Sequence, residues 1–314
     1  MIVSLREKFV VKRECKLMGN RFELSVVTDN EFWGNLVIDK GIAEIQRIEK
    51  LLTTFSDDSE TNRINRQAGT EPVEVSRETF GLIQRSIRIS GITQGAFDIT
   101  YGSIDKRLWN FDQNMTALPD KQTAKKMVRL IDYRNIVLDA EKCTVLLKEK
   151  GMRIGFGGIG KGYAAERAKY IMKEAGAESG VVNASGDLTT WGKQPDGSDW
   201  TIGIINPNVK GEVFSHMSGS GLAVATSGNY EKYVIIGGKK YSHTIDPRTG
   251  YPVTGIKSVT IITTNAEIAD AMATPVMIMG IRTGLDMINQ IKNIEAVIID
   301  DNDRIYTSDN IHIK

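Results

Sequence analysis

Only two cysteines, Cys15 and Cys143, occur in the 314 residues. They cannot build a disulfide framework and give no sign of an oxidising compartment. The seven prolines form no Pro-rich linker, and no low-complexity tract or fixed-period repeat is present. No window approaches the roughly 18 consecutive apolar residues that a membrane-spanning helix needs. Charge of one sign is not in excess: 40 Lys and Arg face 39 Asp and Glu, a formal net charge of +1. That balance leaves no electrostatic footprint for nucleic acid or an anionic membrane surface. Histidine occurs three times, as His216, His243 and His312.

The N-terminal stretch MIVSLREKFVVKRE is broken by Arg6, Glu7, Lys8, Lys12, Arg13 and Glu14. It lacks the apolar core of a secretory signal. Cys15 follows Arg13-Glu14 and not the small, apolar run that precedes a lipidated cysteine. A cytoplasmic location is the expectation.

Hydrophobic residues make up 41% and charged residues 25%, the composition of a globular chain with a real core. The length suits one domain over residues 1–314, or two interleaved sub-domains. Phe9 to Val27 reads as strands split near Met18-Gly19. Ile38, Ile42, Ile45, Ile48 and Leu52 recur at helical spacing. Ser76 reads as the N-cap of a helix carrying Phe80, Ile83 and Ile87, and Pro119-Asp120 opens another through Met127 and Leu130. Short strands are expected at Asn135–Leu138 and Thr144–Leu147. A helix follows from Gly160 to Ala175, capped by Gly176. Val181 to Val259 is rich in strands and glycine, with hairpin-like turns such as Gly237-Gly238. Ala266 to Gly280 reads as a buried helix, and Leu285, Ile288 and Ile291 mark the last one. A hairpin closes the chain, Ala296–Ile299 and Arg304–Thr307. Helices and strands interleave without strict alternation, so the class is α+β.

The densest special sequence is Gly155-Phe156-Gly157-Gly158-Ile159-Gly160-Lys161-Gly162. Gly155, Gly157 and Gly160 have the dinucleotide-loop spacing. Gly155, Gly160 and Lys161 satisfy most of a P-loop, but Gly162 stands where a Ser or Thr hydroxyl should bind magnesium. The dinucleotide pattern also lacks its acid: the next strand ends at Asn183, and Asp187 comes later. Both patterns share one physical content. A strand leads into glycines whose bare N–H groups can approach an anion, and a helix N-terminus follows. The alternative is a tight strand-to-helix turn that requires glycine dihedrals.

His243 lies in Tyr241-Ser242-His243-Thr244-Ile245-Asp246-Pro247-Arg248-Thr249-Gly250. The turn dipeptides Asp246-Pro247 and Thr249-Gly250 place it at the end of a strand. No second His or Cys is near, which argues against zinc. A lone acid/base and a satisfied structural histidine both fit. His216 sits in a Ser- and Gly-rich stretch, read as a loop. Asp270 and Thr274 lie at i and i+4, on one face of a helix. An acid in so apolar a stretch needs a hydrogen bond or a cation. A few oxygen ligands suit magnesium, and an N-cap or buried hydrogen bond is the alternative.

Taken in order, these segments resemble the ApbE family of FAD:protein FMN transferases. The resemblance runs from Met18-Gly19 to about Gly280. It is carried by Phe55-Ser56-Asp57-Asp58-Ser59-Glu60, Gly95-Ala96-Phe97-Asp98-Ile99-Thr100 and Gly157-Gly158-Ile159-Gly160-Lys161-Gly162-Tyr163. Then come Asn183-Ala184-Ser185-Gly186-Asp187, Ala225-Thr226-Ser227-Gly228, the His243 to Gly250 segment and Ala269-Asp270-Ala271-Met272-Ala273-Thr274. It implies mixed sheets with packed helices and an FAD cleft between sub-domains. It also implies a magnesium-dependent transfer of FMN from FAD to a Thr or Ser hydroxyl of an acceptor flavoprotein, with AMP released. Carried over by position, Met18 and Phe55 contact the flavin, and Ala96, Phe97 and Asp98 line the FAD site. Lys161 sits beside the diphosphate and His243 beside the scissile phosphate. Magnesium is held by Asp270, the Thr274 hydroxyl and the Gly158 carbonyl. Phe55 stands where many members carry Tyr, Gly155 where many carry Asp, and Ala273 where some carry a second Asp.

In that mechanism His243, oriented by Asp246, takes the proton of the incoming hydroxyl. The rival readings are an FAD pyrophosphatase, a flavin-binding protein without turnover, and a P-loop NTPase. The chain has no Asp-x-x-Ser/Thr-Gly-Ala-Thr segment of its own, so the expected acceptor is another protein.

Overall fold

The computed structural model describes residues 7–107, 116–205, 213–229 and 233–311. In chain order the elements are β1 (Phe9–Leu17), β2 (Asn20–Thr28), α1 (Glu31–Leu52), α2 (Glu60–Arg66), β3 (Val73–Glu74), α3 (Arg77–Ile92), α4 (Lys121–Met127), β4 (Ile136–Asp139) and β5 (Thr144–Leu147). There follow α5 (Gly160–Glu174), β6 (Gly180–Ala184), β7 (Asp187–Trp191), β8 (Thr201–Ile205), β9 (Val213–Ser218), β10 (Ala223–Gly228), β11 (Tyr233–Ile236), β12 (Lys239–Ser242) and β13 (Ile256–Thr263). The last are α6 (Ala266–Met279), α7 (Ile281–Ile288), β14 (Glu295–Asp300) and β15 (Ile305–Thr307). The fold is α+β, with helices and several sheets, as the sequence leads one to expect.

The chain forms two compact, interleaved units. The first comprises Met1–Glu49, Gly160–Thr226 and Thr260–Asp270; the second comprises Lys50–Ile159, Ser227–Val259 and Ala271–Lys314.

In the first unit β1, β2, β6, β7 and β10 are successive neighbours in one sheet. β2 and β7 both pair antiparallel with β6. The strand after the glycine loop therefore enters an antiparallel sheet, which removes the parallel crossover of a dinucleotide-binding fold. Ile38, Ile45 and Ile48 bury the apolar stripe of α1. Helix α5 lies on β6 and β7, burying Ala164, Ala165, Ala168 and Met172. It ends at Gly176, whose φ of 97° is open to glycine at little cost. The Gly176 and Ala177 N–H groups close the helix on Lys173 O and Met172 O.

In the second unit β3, β5 and β4 make a three-stranded antiparallel sheet. The Ser76 hydroxyl caps α3 by accepting from Thr79 N, and Asp120 caps α4. β11 and β12 form a hairpin whose two turn residues, Gly237 and Gly238, have φ of 58° and 77°. β14 and β15 form the closing hairpin.

Several boundaries differ from the sequence pattern. Helix α4 stops at Met127, because residues 128–130 turn to bury Val128 beside Ile245. Helix α7 stops at Ile288, and Ile291 lies beyond it. Helix α2 carries no long apolar repeat to announce it; the Ser59 hydroxyl caps it by accepting from Asn62 N. No described helix is long and apolar enough to cross a membrane.

Candidate functional site

In the first unit the start of α5 faces the start of α6. The Gly162 N–H donates to Asp270 Oδ2 at 2.9 Å. A Cβ at Gly162 would stand 2.1 Å from the Ala266 carbonyl oxygen and 2.7 Å from Asp270 Cβ. The position is a glycine because two helices meet there, and a Ser or Thr hydroxyl has no room. This physical fact disposes of the P-loop reading. Asp270 is buried. Burial pushes its carboxyl above the usual carboxylate range, while the Lys161 ammonium and the Gly162 and Lys161 backbone amides oppose that shift.

Lys161 is half-buried, and its ammonium pairs with the buried Asp187 carboxylate. Asp187 opens β7 after a two-residue turn, Ser185-Gly186, with φ of 58° and 101°. Asn183 braces that turn by accepting from Gly186 N at 2.8 Å. Further along α5, Glu166 Oε1 accepts from Ala266 N at 2.8 Å and from the Thr189 hydroxyl at 2.8 Å. Lys169 lies 3.5 Å from Glu166 and donates to Thr189 Oγ1 at 2.9 Å. Glu166 thus pins the N-terminus of α6 one turn before Asp270. Met18 also belongs to this unit. It occupies the β1–β2 turn with Gly19, at φ of 49° and 73°. A bulky residue in the left-handed region marks a position held by its surroundings. Asn20 Nδ2 holds the Met18 carbonyl at 2.8 Å.

In the second unit α3 runs into a tight turn that carries Ala96, Phe97 and Asp98. Thr93, fully buried, accepts at its hydroxyl from Phe97 N and at its carbonyl from Ala96 N, both at 3.0 Å. Asp98 spends both carboxylate oxygens internally. Oδ1 accepts from Thr100 N at 2.8 Å and Thr100 Oγ1 at 2.7 Å, and Oδ2 accepts from Tyr133 N at 2.8 Å. Burial raises its pKa against those three bonds. Asp98 therefore fixes the turn. A Cβ added at Gly158 would lie 3.7 Å from Phe97 Cε2, so the Phe97 ring and the glycine loop are neighbours.

Phe55 is 99% exposed, yet its loop is tied down. Asn62 Nδ2 donates to Thr54 O at 3.0 Å and Ser56 O at 2.9 Å, and the Ser59 hydroxyl donates to Thr53 O at 2.6 Å. A large ring held out on a fixed loop is available for stacking.

His243 is exposed on the segment after β12. Its backbone frame is rigid. Ser242 N donates to Val253 O at 3.1 Å, and Val253 N donates to Thr244 O at 3.0 Å. Ile245 is buried with Met127 and Val128. Tyr101 hydrogen-bonds with the Ile245 backbone, and burial pushes its phenol up to about 12. Asp246, the expected orienter of the imidazole, has both carboxylate oxygens on the Arg248 guanidinium at 2.9 Å. Its role is to lock the turn. Thr274 meets the Ser227 hydroxyl at 3.1 Å.

Three sequence-based expectations change. Residues 152–156, before the glycines, are not a strand. Met152, Ile154 and Phe156 are buried alternately, as in a strand. Their backbone is satisfied partly by side chains and partly by loop carbonyls: Arg153 N donates to Ser103 Oγ, Ile154 pairs with the Asn65 amide through N–H and C=O, and Met152 N and Gly155 N donate to Glu149 O and Ile99 O. None of Gly155, Gly157, Gly158, Gly160 or Gly162 has a positive φ, so the loop is not glycine-rich for its dihedrals. His216 lies on β9, not in a loop. His312 is outside the described residues.

Asp187, Glu166 and Ser227 had no role assigned from sequence. Asp187 and Ser227 fall in segments that carry the family resemblance, but spacing alone does not say which cation or hydroxyl they meet.

The ApbE family pattern matches residues 18–298. An FAD:protein FMN transferase of Klebsiella pneumoniae (strain 342) is 31% identical over 294 residues, 93% of this chain and 90% of its own. One of Treponema pallidum (strain Nichols) is 29% identical over 279 residues, 84% of this chain and 77% of its own. The crystal structure of the ApbE protein of Thermotoga maritima superposes with a TM-score of 0.84 at 30% identity, covering 96% of this chain and 97% of that one. The apo flavinyl transferase ApbE of Pseudomonas stutzeri shares the fold, with a TM-score of 0.83 at 24% identity over 98% and 97% of the two chains. The chain belongs to the ApbE family.

Proposed function

We propose that this protein is an FAD:protein FMN transferase that joins the FMN half of FAD to a Thr or Ser hydroxyl of an acceptor flavoprotein and releases AMP. The observation that carries the reading is His243, an exposed imidazole on a hydrogen-bonded frame, in a chain of this family. Its neutral ring takes the proton from the acceptor hydroxyl as the oxygen attacks phosphorus and the bond to AMP breaks. Phe55 and Met18 address the flavin, the Ala96–Asp98 turn lines the FAD site, and Lys161 faces the diphosphate.

Magnesium fits the residues present. Among the described residues no three His, Cys, Asp or Glu side chains gather to hold a metal. The buried Asp270 carboxylate, whose ionisation burial opposes, calls for a cation. Asp270, the Thr274 hydroxyl and the Gly158 carbonyl are the hard oxygen donors that the family resemblance would assign to magnesium, and so few protein ligands would leave places for substrate phosphate and water. When bound there, magnesium supplies charge neutralisation on the diphosphate.

Incubation with FAD, magnesium and a Thr-containing acceptor peptide tests the proposal. AMP without matching free FMN is the expected outcome. AMP with equal free FMN identifies a pyrophosphatase, and retained FAD with no AMP identifies a carrier.

A further inference from the structure

The second unit carries a basin of ≈ 670 Å³ whose walls include Gly95, Asp98, Lys125, Arg129, Arg134 and Arg248. That volume suits a few side chains or a small ligand. Four of the thirteen residues that line it are cationic, and two, Asp98 and Asp132, are acidic. Arg134 is spoken for by Asp132 at 2.8 Å, and Arg248 by Asp246 at 2.9 Å. Lys125 and Arg129, both exposed, have no ion pair among the described residues. The Asp98 carboxyl is turned inward to three donors, and burial opposes its ionisation. The basin thus presents two cations without an ion-pair partner among the described residues, in a chain whose total charge is only +1.

Its position adds to its charge. Gly95 and Asp98 bracket Ala96 and Phe97, and Arg248 is five residues beyond His243 on the same locked segment. The basin thus shares chain segments with the Ala96–Phe97 turn and with His243. We propose that this basin docks an acidic, extended segment of the acceptor protein, with carboxylates of that segment on Lys125 and Arg129. The inference rests on the transferase reading for the identity of the partner, while the binding itself is measurable without turnover. The charge complementarity chooses an acidic peptide. The alternative anion, FAD itself, is separated by the test.

The experiment uses the whole chain and two fluorescein-labelled peptides of equal length. Each has one Thr, flanked by aspartates in one and by lysines in the other. By anisotropy in about 50 mM salt, the parent should bind the aspartate peptide about tenfold or more tightly than the lysine peptide, and about 500 mM salt should erase the difference. Lys125→Glu/Arg129→Glu should abolish the preference while FAD affinity, titrated in the same samples, stays within about twofold. The FAD titration also shows that the variant is folded. No preference in the parent, or a preference surviving in the double variant, overturns the inference. A parallel loss of FAD affinity also overturns it, because the basin then belongs to the flavin. Absence of FMN transfer with peptide preference intact contradicts the transferase reading and leaves the docking basin standing.

Discussion

His243→Ala should lower transfer by roughly 10²-fold or more with a much smaller effect on FAD affinity. His243→Asn keeps a hydrogen bond without basicity and should be nearly as slow. Near-parental turnover of the Asn variant would move the base elsewhere. Asp270 makes the opposite kind of prediction, in which stability and function part. Burial holds its pKa above the ordinary aspartate range, so the native state binds this proton more tightly than the unfolded chain does. The group's contribution to stability therefore falls as pH rises from the unfolded to the native pKa. In magnesium-free buffer at pH 8, Asp270→Asn should raise Tm by about 2 °C or more. The gain should shrink at acid pH, and magnesium should no longer stabilise the variant. A variant that melts below its parent at pH 8 and above it at pH 4 would reverse the assigned sign.

At the scale of elements, α5 and α6 depend on one another through Gly162 and Glu166. Gly162→Ala puts a methyl group against the Ala266 carbonyl and should cost about 3 kcal/mol, read as a shift in urea midpoint. A loss below about 0.5 kcal/mol would mean that the helices separate freely. This pair also shows how far sequence reaches. The periodic apolar positions of α1, the Ser76 and Asp120 caps, the Gly237-Gly238 turn and the closing hairpin are local signals, and all were legible. The Gly162 constraint was not, because the atom that excludes a side chain is Ala266 O, a hundred residues on. The same applies to residues 152–156, whose strand-like alternation is real but whose hydrogen-bond partners are the Asn65 and Ser103 side chains. Helix α2 is seven residues long, too short for a periodic signal. Of the candidate site, residue type and setting single out Asp270 and His243 but leave their roles open, and only the family resemblance assigns them. The side-chain pairings around them were not legible: Asp187 for Lys161, Ser227 for Thr274 and Arg248 for Asp246 are products of tertiary structure and turn geometry.

For the molecule as a whole, the proposed function has the site address the diphosphate of FAD as well as the flavin. FAD should therefore bind more tightly than FMN in a fluorescence titration, and equal or tighter FMN binding would favour a carrier. The central claim is covalent transfer, and the intact mass of a Thr-containing acceptor tests it most directly. After incubation with the protein, FAD and magnesium, the acceptor should gain the mass of one FMN less water. Replacing the acceptor Thr by Ala, or the protein by His243→Ala, should suppress the gain. An acceptor of unchanged mass beside accumulating free FMN and AMP would contradict the claim.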